Sequence, residues 1–146
     1  MSLETLFSLA NGVALLGWIL LALAPLGRDR IVMAARAVGV VLAVTYTVLL
    51  VRALTGDGFS GDLTTLAGLT EGFSQPEAVL VGWVHYLAFD LWVGSWAIED
   101  AGRRRIPHLA MLPVLVLTLM AGPVGLLVYL GLRTTLSRRR ARSGRG

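Results

Sequence analysis

Apolar residues in this chain fall into four long blocks separated by short polar stretches. Thr5 to Gly27 carries no formal charge, Ile31 to Val51 only Arg36, Ala78 to Ile98 only Asp90, and Ile106 to Leu132 none. Each block is long enough to cross a hydrocarbon core as an α-helix, which takes about 20 residues. A bilayer interior offers the backbone no water, so every N–H and C=O needs an internal partner. Blocks rich in Leu, Ala and Val without strand-like alternation therefore predict helices and not a barrel. The pattern predicts an all-α integral membrane bundle of four transmembrane helices, at about 5–26, 31–54, 77–99 and 107–132, in one membrane domain over 1–132. The first block is expected to stay in place as a helix, because Glu4 alone precedes Arg28 and a cleaved signal opens with positive charge.

The polar stretches differ in character. Residues 55–76 are rich in Gly, Ser and Thr and hold Asp57, Asp62 and Glu71 without arginine, which predicts an acidic extramembrane loop with one short interfacial helix around Leu63 to Leu69. Residues 133–146 are dominated by Arg, Ser and Gly and read as a disordered tail.

Composition agrees: 15% of residues are charged, against about 25% in a soluble domain. All thirteen basic residues are arginine, and their clustering between apolar blocks makes the bilayer the expected partner and nucleic acid an excluded one. Cysteine is absent, which excludes a disulfide framework and thiolate chemistry. The lysine-free, Arg- and Ala-rich composition fits a GC-rich bacterium, so the expected location is a bacterial inner membrane.

The arginines divide awkwardly across four spans. With the N-terminus outside, as its arginine-free flank favours, the cytoplasmic side collects six and the outer side seven, including the tail. Three arrangements meet this conflict: a kinked fourth span with the imbalance tolerated, insertion in both orientations, or a fourth block that turns back. Pro113 and Gly122-Pro123-Val124-Gly125 suit a kink or a reversal.

The third block holds the candidate chemistry. An aspartate near mid-span costs about 2.5–3.5 kcal/mol to insert, so Asp90 is expected to face protein or a wet cavity. His85 lies roughly 140° from it around the helix, able to flank the same cavity but not to bond to it within the helix. A carboxyl and an imidazole in apolar surroundings both favour their neutral forms, one then a proton donor and the other an acceptor. His85 and Asp90 are therefore the catalytic candidates. Tyr86, Phe89 and Trp92, with Asn11 on the first helix, are candidates for lining an apolar binding slot. Packing roles remain open for each: interhelical bonding for Asp90, His85 and Asn11, and an interfacial belt for Trp18, Trp83 and Trp96. No metal spacing, phosphate loop or cofactor signature is present, so neither metal nor cofactor is expected.

The string Trp83-Val84-His85-Tyr86-Leu87-Ala88-Phe89-Asp90-Leu91, with Val93-Gly94 and Trp96, resembles the abscisic-acid-deficient-4-like membrane proteins. Leu6-Phe7-Ser8-Leu9-Ala10-Asn11, Trp18, Pro25, Ile106-Pro107-His108, Pro113, Leu117-Thr118, Gly122 to Leu127 and Tyr129 extend the likeness over most of the chain. The resemblance implies a four-helix membrane protein. For plant members it also implies conversion of an epoxy-carotenoid, violaxanthin, into the allenic neoxanthin. That isomerisation needs an acid for the epoxide oxygen and a base for a neighbouring carbon, and His85 and Asp90 match by type. Three functions follow as expectations: an isomerase or accessory subunit acting on a carotenoid or other isoprenoid ligand, a small proton-coupled transporter, or a non-catalytic scaffold. A homo-oligomer is compatible with each.

Overall fold

The computed structural model describes residues 1–56, 62 and 64–143, with side chains as far as 136. All regular elements among these residues are helical. Helix α1 (Leu3–Ala22) starts at Ser2, whose hydroxyl accepts the Thr5 amide proton at 3.2 Å. It stops short of the predicted limit because Pro25 cannot continue it, and the chain passes through a 3-10 turn at Ala24–Leu26. Helix α2 (Arg28–Thr55) runs back, α3 (Leu66–Gly72) lies in the connection, and α4 (Pro76–Arg103) opens on Pro76, whose missing N–H has no role in a first turn.

Three helices, α1, α2 and α4, are long and apolar enough to cross a membrane. α4 is the central one, burying Val84, Leu91 and Ile98 completely or nearly so. It meets α1 closely at Gly94, where a Cβ would come within 2.8 Å of the Trp18 ring. In the connection, Thr65 caps α3 by accepting the Gly68 amide proton at 3.1 Å. The short helix therefore sits slightly later than the sequence pattern predicts; Asp57 and Leu63 lie outside the described residues. Asp62 accepts from the Thr64 hydroxyl at 2.7 Å and the Thr64 amide at 2.9 Å, which hold its carboxyl below the ordinary range.

The fourth apolar block departs from the predicted single span. It is two helices, α5 (His108–Met120) and α6 (Gly122–Ser143), broken at Ala121 with φ −155° and ψ 72°. Pro123 explains the break: it has no N–H for the Leu119 carbonyl, and its ring collides with that carbonyl in a continuous helix. α5 begins beside the end of α1, where His108 Nε2 lies 2.8 Å from the Ala22 carbonyl oxygen, and ends beside the middle of α4, where the Tyr86 hydroxyl donates to the Leu119 carbonyl at 3.0 Å. α6 starts at Gly122 against Asp90 and reaches the far end of α4, where Tyr129 donates to Asp100 at 2.6 Å. The block thus enters halfway, reverses and leaves by the end at which it entered. The account of four continuous helices is replaced by three long helices and a helical hairpin.

Several features hold the hairpin. α4 closes with Arg105 in the left-handed region at φ 54°, and the Ile106 amide donates to the Ala101 carbonyl at 2.9 Å, which folds the chain back along α4. At the tip, Gly125 lies so close to Thr118 that a Cβ would meet its backbone. Tyr129, fully buried, packs edge-on against Trp96 with centroids 5.4 Å apart, and Asp100 also pairs with Arg104 at 2.8 Å and Arg133 at 3.4 Å. α6 continues past Leu132 to Ser143, so the segment read from sequence as a disordered tail is helical over most of its length.

The reversal also settles the arginine count. Seven of the eight arginines with described side chains belong to the end of the bundle shared by the start of α2, the end of α4 and the exit of α6; Arg52 alone is at the other. Two predictions follow from this topology. In the cysteine-free chain, Ser74→Cys and Ser143→Cys should label from opposite faces of the membrane, whereas a fourth span would put both on the same face. Gly125→Ala should destabilise the detergent-solubilised protein by about 1–3 kcal/mol through overpacking. Gly131→Ala, which meets open space, should be neutral or slightly stabilising in the same unfolding assay.

Candidate functional site

α4 carries polar residues on two of its faces, and the neighbouring helices decide what each can do. On the side toward α1 and the hairpin lie Trp83, Tyr86 and Asp90. The Trp83 indole donates to the Asn11 side-chain oxygen at 3.1 Å, and its ring lies 5.8 Å from Phe7 and stacks on Tyr86 at 5.6 Å. These residues form an aromatic wall that leads to the hairpin tip.

The tip fills only half the length of the α1–α4 face. In the other half a cavity of about 360 Å³ opens between the two helices, lined by Leu3, Phe7, Val79, Leu80 and Trp83, with Glu4 and Ser74 at its rim. The wall is therefore apolar along its length and polar at both ends.

Asp90 lies one turn past Tyr86 on the same side of α4, and it does not line the cavity. One carboxyl oxygen presses on Gly122 at the start of α6, a position that only a residue without Cβ can take. The other oxygen is buried and has no hydrogen-bond partner. The start of α6 carries the partial positive charge of a helix N-terminus, which favours a polarised oxygen at this point, although Pro123 has no amide proton and the Val124 and Gly125 amides already donate to the Ala121 carbonyl at 2.8 and 3.2 Å. Tyr86 stands beside Asp90 and the Gly122 amide, but its single proton goes to the Leu119 carbonyl. That bond fixes the phenol and leaves its oxygen facing the carboxyl.

The other face of α4 looks toward α2. His85 stacks on Phe89 with centroids 4.6 Å apart and meets Tyr46 edge-on at 5.2 Å. Trp92 sits further along, under the Arg36 guanidinium at 5.6 Å, and Arg36 forms an ion pair with Glu99. The sequence candidates thus separate into two groups: Asp90, Tyr86 and Asn11 belong to one site, and His85, Phe89 and Trp92 to another. His85 and Asp90 do not share a cavity.

Four participants were missed in the sequence. Trp83 and Phe7 read as ordinary membrane aromatics, and nothing local marks them as a wall. Gly122 and the Leu119 carbonyl were signalled by Gly122-Pro123, since a proline frees the carbonyl four residues before it. Among the described residues no group of three or more His, Asp or Glu side chains gathers as metal ligands would.

No curated protein and no solved structure matches the chain. The family model described as ABA DEFICIENT 4-like matches residues 5–129, from the first turn of α1 to Tyr129 in α6. With three helices able to span a membrane and this match over most of its length, the chain is an integral membrane protein of the ABA DEFICIENT 4-like family.

Proposed function

We propose that the protein is an intramembrane acid–base isomerase, or an accessory subunit of one, acting on an oxygen-bearing isoprenoid lipid in a bacterial inner membrane. The observation that supports this reading best is Asp90: a carboxyl near the middle of a spanning helix, one oxygen against a helix N-terminus and the other buried without a partner. An aromatic wall beside it suits a long, flat, apolar ligand.

One carboxyl is enough for the chemistry. Neutral Asp90 gives its proton to an epoxide oxygen as the ring C–O bond breaks. The resulting carboxylate takes a proton from the neighbouring carbon, and the electrons of that C–H bond become the new C=C bond. Atoms and electrons balance, Asp90 is restored, and the product is an isomer of the substrate. The Tyr86 oxygen, held by the Leu119 carbonyl, can accept from the neutral carboxyl and so positions it before the first transfer.

A broken helix meeting a carboxylate at mid-membrane is also an arrangement found in ion-coupled transporters. That second reading requires proton flux in liposomes, which an isomerase does not.

The test uses membranes from hosts that make candidate epoxy-carotenoids, with and without the gene. A new pigment of unchanged mass is expected, and Asp90→Asn should lower its formation by about 10²–10⁴-fold, the usual contribution of a general acid or base. Tyr86→Phe, which leaves the Leu119 carbonyl without its donor, should lower activity together with the stability of the hairpin. An unchanged pigment profile from folded protein, or full activity in Asp90→Asn, contradicts the proposal.

A further inference from the structure

We propose that the arginine-rich end of the bundle holds one specific site for an anionic phospholipid, whose phosphate is taken by Arg28. The site is independent of the Asp90 reading, which concerns the middle of the membrane.

The starting observation is a cation without a counter-charge. Arg28 opens α2 and is partly buried, and its side chain lies across the last turn of α4, where a Cβ at Gly102 would come within 2.5 Å of the guanidinium. Its Nε is buried without a hydrogen-bond partner, and among the described residues the side chain makes no ion pair. Burying a charge in this way is costly unless it is paired.

Two internal solutions are closed. In the last turn of α4 the Asp100, Ala101 and Gly102 carbonyls already accept from the amides of Arg104, Ile106 and Arg105, at 3.0, 2.9 and 3.0 Å. The acids of this end are engaged or turned away. Glu99 pairs with Arg36 and Arg103, and Asp100 with Tyr129, Arg104 and Arg133. Asp29 lines a separate cavity with Met33, Arg36 and Glu99. These three acids stand against seven arginines among the described residues, so the partner that Arg28 lacks is an anion from outside the chain.

The level in the membrane indicates what carries the anion. At about 1.5 Å per residue the 20 residues of α1 cover the thickness of the hydrocarbon, so its end and the start of α2 lie at the headgroup boundary. Leu26, two residues before Arg28, is 80% exposed, and Leu109, next to the His108 that meets the Ala22 carbonyl, is 78% exposed. A molecule with a phosphate at Arg28 and acyl chains over these leucines satisfies both. A free phosphate offers the leucines nothing, and a zwitterionic lipid brings a further cation to an end already rich in them. The guanidinium can hold a phosphate through two parallel N–H···O bonds.

The test is native mass spectrometry of the full-length protein in detergent, with dihexanoyl phosphatidylglycerol, dihexanoyl phosphatidylcholine and glycerol phosphate as separate probes. Phosphatidylglycerol should fill one saturable site about tenfold more tightly than either other probe, as one charge-assisted hydrogen bond allows. Arg28→Gln should abolish that preference, and Arg28→Lys, which keeps the charge but gives up the fork, should retain part of it. Arg30→Gln, the same change of charge at an exposed position, should leave it nearly unchanged. Leu26→Ser should weaken the lipid. Equal binding of phosphatidylcholine, equal binding of glycerol phosphate, an unchanged preference in Arg28→Gln, or the same loss in Arg30→Gln as in Arg28→Gln overturns the proposal. If Arg28→Gln does not fold, the three probes on the unaltered chain, together with Arg28→Lys and Arg30→Gln, still decide.

Discussion

The bond between the Tyr86 hydroxyl and the Leu119 carbonyl, at 3.0 Å, is the contact on which the rest of the arrangement depends. Pro123 removes the amide that a continuous helix needs four residues after Leu119. In water the freed carbonyl is hydrated; in hydrocarbon it must find a donor from the protein or the break is not tolerated. Tyr86 is that donor. Once the carbonyl is satisfied, the chain can turn at Ala121 and begin a new helix at mid-membrane.

The reversal has consequences at both ends of the hairpin. At the tip, a fresh helix N-terminus faces Asp90, and the absence of a side chain at Gly122 lets the carboxyl come against it. At the base, Tyr129 and Asp100 tie α6 to α4 where arginines from both helices surround the carboxylate. A polar clamp near the surface and a polar break at the centre thus hold one element, and each buried carboxylate lies on α4. Because the hairpin fills only half the membrane thickness, the other half of the α1–α4 face is open to an apolar ligand.

The helical class, the three long spans and the intramembrane position of Asp90 were legible because apolar block length and an isolated intramembrane charge are local properties of the sequence. The fate of the fourth block was legible only as a set of alternatives. Gly122-Pro123 shows that a helix is interrupted there, but whether the chain continues or reverses depends on a donor 37 positions earlier, Tyr86, which periodicity does not connect to Leu119. The divided arginines carried the same information, since their balance across four spans was unsatisfactory and their gathering at one end requires the hairpin. Pairing His85 with Asp90 failed for a geometric reason: residues roughly 140° apart on a helix share a cavity only if one neighbour wraps both faces. Here α2 covers one face and the α1–hairpin pair the other.

The central claim is that α5 and α6 lie side by side and not end to end, and a distance between them tests it most directly. Leu109 in α5 and Thr135 in α6 are both exposed, and the chain's lack of cysteine allows a spin label at each after substitution by Cys. Dipolar spectroscopy in lipid should give a separation below about 20 Å if the helices are antiparallel neighbours, given a rise of about 1.5 Å per residue. A separation near 39 Å, as expected for 26 residues of one continuous helix, contradicts it.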